Sequence, residues 1–139
     1  MAGNPLDIRG MAPLIPVFDM ATSLRFYRDT LGFELTQTSV EPQRPENYHW
    51  VLLELNGMQL MLESIYEEDQ QPVERGAAPR NNDMVLYFGS PDIEALYMQL
   101  KEKGLELDKP IKTGYGFKAL YLRDPDGFLL VFHWPEAES

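Results

Sequence analysis

Two stretches decide the fold: LIPVFDMATSLRFYRDTLGFEL, Leu14–Leu35, and LYFGSPDIEALYMQLKEKGLEL, Leu86–Leu107. A shift of 72 positions lays one on the other, with Leu24 on Leu96, Gly32 on Gly104, Glu34 on Glu106 and Leu35 on Leu107. A second block repeats at a shift of 70, where Leu52, Gly57, Leu60 and Leu62 fall on Leu122, Gly127, Leu130 and Phe132. The chain is therefore read as two copies of one supersecondary unit. A unit of about 50 residues buries too little apolar surface to be stable alone, so two copies are expected to close on each other and leave a groove or cup.

Working outward, Pro13–Val17 is a short β-prone run, and Asp19 or Thr22 offers an N-cap for a helix over about Ser23–Leu31 that Gly32 stops. Phe33–Thr38 reads as a strand. His49–Leu55 and Gln59–Glu63 form a hairpin through Asn56-Gly57, a strong two-residue turn signal. The second copy opens with a strand at Met84–Gly89. Ser90-Pro91 then sets a cap before a first-turn proline, and Ile93, Leu96, Tyr97 and Leu100 line one helical face up to Gly104. Leu105–Asp108, Phe117–Leu122 and Phe128–Trp134 read as strands, the last two joined by Asp124-Pro125-Asp126-Gly127. Each unit is β-α-β-β-β. The expected organisation is a single domain over 1–139, with module one at 12–64, an exposed polar connector at 65–83 and module two at 84–135. The most buried positions are expected to include Leu14, Phe26, Leu31, Leu52, Leu60, Leu62, Leu86, Leu96, Leu100, Leu122, Leu130 and Phe132.

Composition narrows the function. With 22 acidic against 12 basic side chains, the net charge of −10 opposes binding to nucleic acid phosphates and suits either solubility or a cationic ligand. The absence of cysteine removes disulfides, thiolate metal ligands and a cysteine nucleophile, and fits a reducing compartment. No uncharged run approaches the ~18 residues that span a bilayer, and the first ten residues lack an apolar core. A soluble cytoplasmic protein without membrane or nucleic-acid partners is expected. Neither a Walker-type phosphate loop nor a Gly-x-Ser-x-Gly elbow occurs.

Phe26-Tyr27 followed by Leu31-Gly32-Phe33, the Asp92-containing helix ending in Gly104, and Tyr115-Gly116 leading into Arg123-Asp124-Pro125-Asp126-Gly127 together resemble the vicinal oxygen chelate superfamily. That superfamily includes glyoxalase I, extradiol dioxygenases, fosfomycin resistance enzymes and bleomycin resistance proteins. The resemblance runs from about Met11 to Pro135. It implies an α+β fold of two βαβββ modules whose curled sheets surround a cup, the glyoxalase/bleomycin resistance fold. In its enzymes a divalent metal is held in the cup by histidine and glutamate from the first and last strand of each module.

Carried over by position, the four ligand places fall on Ala12, Met61, Met84 or Val85, and Val131, none of which offers oxygen or nitrogen to a metal. A register two residues further reaches Glu63 and His133, with Leu14 and Leu86 or Tyr87 on the first strands. Two ligands hold a metal poorly. Glu63 and His133 are then a solvated carboxylate and a strand-end histidine, or else acid/base or ligand-contacting groups. The resemblance is closest in character to the metal-free bleomycin-resistance-like branch, whose dimers share elements and bind a cationic drug between subunits.

The resulting expectation is a homodimer that binds a small organic ligand, cationic or aromatic, with no metal and no cofactor. Its walls would be Tyr48, Trp50, Glu63, Tyr87, Tyr115, Phe117, His133 and Trp134. The alternatives are a metal-dependent lyase, isomerase or dioxygenase of the same superfamily, and a fold used only as an interaction or regulatory module.

Overall fold

The computed structural model describes residues 5–66 and 84–136, so nearly all of the connector expected at 65–83 lies outside the described residues. The first half runs β1 (Leu14–Val17), α1 (Met20–Arg25), a π-helical turn (Phe26–Thr30), β2 (Glu34–Thr38), β3 (Trp50–Leu55) and β4 (Met58–Ser64). The second runs β5 (Val85–Gly89), α2 (Ile93–Glu102), β6 (Ile111–Lys112), β7 (Phe117–Arg123) and β8 (Leu129–Pro135). They form two four-stranded sheets of the same topology, ordered β1-β4-β3-β2 and β5-β8-β7-β6. In each, the first strand runs parallel to the last and the other neighbours are antiparallel.

Strand alternation assigns the faces. In the first sheet Ile15 pairs with Leu62 and Leu53 with Leu60, and all four are buried. Their counterparts in the second sheet, Leu120, Leu122, Leu130 and Phe132, are buried with them in one apolar cluster that also takes Leu24, Tyr27, Ile93, Tyr97 and Leu100. Each fully buried aliphatic or aromatic side chain there contributes roughly 1.5–3 kcal/mol of transfer free energy. The helices therefore lie on the core side of both sheets, and the opposite faces are left open.

Several sequence expectations shift. Leu14 is not core: with Ile15 bonded opposite Leu62, Leu14 must face the other way, and it is 44% exposed. Leu52 gives way to Leu53 for the same reason, while Phe26, Leu31, Leu86 and Leu96 are only partly buried. The second helix is capped by Asp92, which accepts from Ala95 N at 3.0 Å, rather than by Ser90. The first is capped by Asp19 and begins at Met20. Leu105–Asp108 forms no strand, and the edge of the second sheet is the two-residue β6 instead.

The caps also correct the repeat. Asp19 superposes on Asp92, a shift of 73, while the glycine stops Gly32 and Gly104 differ by 72. Module one carries one extra residue between cap and stop, and the π-helical turn Phe26–Thr30 is where the wider i→i+5 bonding absorbs it. Buried Leu24 thus corresponds to Tyr97 and buried Tyr27 to Leu100.

A buried polar network ties the halves together. The Asp124 carboxylate accepts from the Tyr27 hydroxyl at 2.7 Å, from Phe128 N at 2.8 Å and from Asp126 N at 2.9 Å. Asp126 accepts from Phe18 N at 3.1 Å and from the Ser23 hydroxyl at 3.3 Å. The Asp-Pro-Asp-Gly turn is thus a hairpin and, at once, the plug that seats module two on the first turn of α1. At the far end of the helices, Lys103 Nζ donates to the carbonyls of Asp29 and Thr30, a cation on the C-terminal carbonyls of the π-helical turn.

Candidate functional site

The open face of the second sheet carries an aromatic cluster. Cross-strand partners share a face, so Tyr87, Val131 and Tyr121 form one row, and Gly89, His133 and Ala119 the next. Phe117 stacks on His133 with centroids 4.9 Å apart and 21° between planes, and Tyr87 meets the same imidazole edge-on at 5.0 Å. Tyr115 leans on Phe117 at 5.6 Å. Partial burial raises the Tyr121 phenol above its ordinary pKa, with smaller contributions from Tyr115 and Tyr87, so three phenols converge on one neighbourhood.

Val131 and Ala119 are fully buried beneath these rings. The rings themselves stay open, with Tyr87 55%, Tyr115 61% and Tyr121 37% exposed. An aliphatic floor under exposed aromatic walls is the usual make-up of a site for a flat organic molecule. His133 adds polarity with a defined direction. Its Nδ1 is buried without a hydrogen-bond partner.

The open face of the first sheet is different. Leu14, Met61 and Leu52 form one row, and Pro16, Glu63 and Trp50 the next. Trp50 and Glu63 are therefore direct neighbours, an aromatic surface beside a carboxylate.

The expected wall residues fall into groups. Tyr87, Tyr115, Phe117 and His133 are brought together on the second sheet, and Trp50 and Glu63 on the first. Tyr48 is in neither group: it packs partly buried against the core and lines a separate groove of about 500 Å³ with Asn47, His49 and Ser64. Trp134 pairs with Lys118, one residue out of phase with His133, and its ring closes to 3.3 Å of the Cβ position at Gly89. Tyr121 was missed by sequence reasoning, although the alternation Phe117, Ala119, Tyr121 on one strand would have found it.

At the places to which the resemblance carries the metal ligands, the side chains offer no oxygen or nitrogen to a metal. Met61 lies between Leu14 and Leu52, and Val131 between Tyr87 and Tyr121. Val85 pairs with Leu129, Met84 stands just before β5, and Ala12 precedes β1. In the alternative register Glu63 is flanked by Pro16 and Trp50, His133 by Gly89 and Ala119, on separate sheets. No group of three His, Cys, Asp or Glu able to hold a metal occurs among the described residues.

Residues 11–132 match the family model for the Glyoxalase/Bleomycin resistance protein/Dioxygenase superfamily, and the chain belongs to that superfamily. No curated protein matches it. Among solved structures it is similar to SMU.1112c, at 26% identity and a TM-score of 0.70 over 92% of this chain and 100% of that one. A glyoxalase/bleomycin resistance protein/dioxygenase from Nocardioides is 17% identical with a TM-score of 0.68, covering 96% and 89%. Lactoylglutathione lyase from Agrobacterium tumefaciens is 18% identical with a TM-score of 0.65, covering 94% and 95%. The latter two likenesses show the fold. No helix among the described residues is long and apolar enough to cross a membrane.

Proposed function

We propose that this protein is a metal-free, cytoplasmic binding protein for a small, flat organic molecule, one domain of two modules at 12–64 and 84–135 that works as a homodimer. The observation carrying the proposal is the open aromatic face over Val131: the position to which the resemblance carries a metal ligand is an aliphatic floor flanked by Tyr87 and Tyr121, with Phe117 and Tyr87 packed on the neighbouring His133 and Tyr115 on Phe117. Aromatic walls stack a planar ring system, and the His133 imidazole offers one polar group among them.

A second copy supplies the opposite wall. The Trp50–Glu63 face and the aromatic face belong to different sheets, both turned away from the common core. Bringing one copy's Trp50 and Glu63 over its partner's tyrosines closes a cup and covers the edges β1 and β5. Glu63 then stands beside the ligand and favours a cation, in keeping with the net charge of −10. A metal-dependent lyase, isomerase or dioxygenase would need ligands that Met61 and Val131 do not supply.

Thermal unfolding with a panel of planar cationic, neutral aromatic and anionic aromatic compounds tests the proposal. A planar cation should raise the melting temperature of the native protein and not that of Tyr87→Ser. Equal shifts in both proteins, or none, would overturn it.

A further inference from the structure

The plug that Tyr27 and Asp124 make on α1 has no equal on α2. Leu53 opposite Leu60 is the repeat of Leu122 opposite Leu130, so strand pairing sets Leu55 where Asp124 stands, and the helix caps set Leu100 where Tyr27 stands. Two leucines replace a phenol bonded to a carboxylate. Both line a groove of about 300 Å³.

Leu96, Gln99, Leu100 and Lys103 recur along this groove at helical spacing, so it follows α2 for about 10 Å. Phe33, Phe88 and Phe132 give it an aromatic wall, in which Phe88 stacks on Phe132 at 5.0 Å and meets Phe33 edge-on at 6.5 Å. Phe33, Met58 and Phe88 also line a neighbouring groove of about 410 Å³, which continues the apolar surface past Leu60 and Leu86.

Charge enters at one point. Among the described residues Lys103 is the only charged side chain lining either groove, in a chain of net charge −10. Its ammonium is fixed by the carbonyls of Asp29 at 3.1 Å and of Thr30 at 3.0 Å, and Thr30 itself lines the groove. Both acceptors are uncharged and an ammonium has three N–H groups, so its charge and one donor are unspent among the described residues. The Asp29 carboxylate, whose charge Lys103 feels, already accepts from Arg28 at 2.8 and 3.3 Å. Thr30, Asn56, Ser90 and Gln99 add only uncharged polar side chains.

We infer that this groove is a second ligand site, separate from the aromatic face, and that it takes an unbranched aliphatic carboxylate. The carboxylate accepts the spare N–H of Lys103. The hydrocarbon chain runs along Leu100 and Leu96 onto the phenylalanines, where no charged group meets it. A lining with one positive charge and an apolar length matches a molecule with one negative end, whereas an alkyl cation would meet the ammonium. A volume near 300 Å³ is at the small end of ligand sites and suits a single chain.

Amide NMR titration of the full-length protein with octanoate, butanoate, octanol and octylammonium tests the inference. Octanoate should shift the amides of Ser90, Leu96, Leu100 and Lys103, and bind at least about tenfold more tightly than butanoate, which buries fewer methylenes, or than octylammonium. Lys103→Met should weaken octanoate about tenfold, to the level of octanol, while octanol binding stays within about twofold of its value in the native protein. Leu96→Phe narrows the groove without touching the charge and should also weaken octanoate; it decides the matter should Lys103→Met not fold. Tyr87→Ser should leave octanoate binding unchanged. Absence of octanoate binding, shifts confined to Tyr87, Tyr121 and His133, equal binding of butanoate or octylammonium, or undiminished octanoate affinity in Lys103→Met would each overturn the inference without bearing on the aromatic face.

Discussion

Replacing Tyr27 by phenylalanine isolates the bond that ties the two modules. The ring and its edge contacts with Phe26 at 5.1 Å and Phe33 at 6.0 Å are kept, and only the 2.7 Å hydroxyl bond to Asp124 is lost. Tyr27 is 0% and Asp124 6% exposed, so water does not replace the donor. Hydrogen bonds to charged groups are worth about 1.5–3 kcal/mol, giving an expected loss of about 2 kcal/mol. For a chain of this size that is a fall of roughly 6 °C in melting temperature.

The pH dependence has a definite sign. Burial raises the Asp124 carboxyl above its ordinary value, opposed by hydrogen bonds from Tyr27 and from the Phe128 and Asp126 amides, while the Asp126 charge adds to the rise. A raised native value means that the group's stabilising contribution is complete below the unfolded value of about 3.9 and is lost as pH rises through the native one. Tyr27 favours the carboxylate, so Tyr27→Phe raises Asp124 further and deepens that loss. The deficit of the variant should be largest at about pH 7 and shrink toward about pH 4. Urea unfolding of both proteins across that range measures it. A deficit below about 0.5 kcal/mol, or one independent of pH, would refute the reasoning.

Asp126→Ala strips the acceptor from Phe18 N and the Ser23 hydroxyl, both buried, and should cost about 2–3 kcal/mol by the same urea assay. Gly89→Ala places a methyl 3.3 Å from the movable Trp134 ring; it should cost less than about 1 kcal/mol and change tryptophan fluorescence. Light scattering should return twice the chain mass of 16.0 kDa at tens of micromolar, an order-of-magnitude concentration for a stable dimer. Tyr87→Ser and His133→Ala, on an open face, should each change stability by less than about 1 kcal/mol while removing ligand-induced stabilisation.

Much of the fold was legible because its signals are local. Gly32, Gly104 and Asn56-Gly57 need left-handed backbone, and all four residues have positive φ. What the sequence hid depends on phase and distance. Leu14 and Ile15 are equally apolar, and only the pairing of Ile15 with Leu62 tells which one faces the core. The extra residue before Gly32 was invisible at a uniform shift of 72, because a π-helical turn stores it without a gap. Asp124 and Asp126 read as turn residues, and nothing local shows that their carboxylates are buried against Tyr27, Phe18 and Ser23, about a hundred positions away. Likewise the candidate site was half legible: aromatic residues near the last hairpin could be counted, but their grouping over Val131, with Tyr121 included and Tyr48 left out, follows from register.

The central claim is that the aromatic face of the second sheet binds an organic molecule directly. Isothermal titration of protein purified without chelator, with a planar aromatic cation on one arm and zinc, nickel, manganese and iron(II) on the other, tests it most directly. The account predicts heat and saturation with the aromatic cation, lost in Tyr87→Ser, and no stoichiometric binding of any metal. Stoichiometric metal binding, with no response to the aromatic cation until the metal is present, would contradict it.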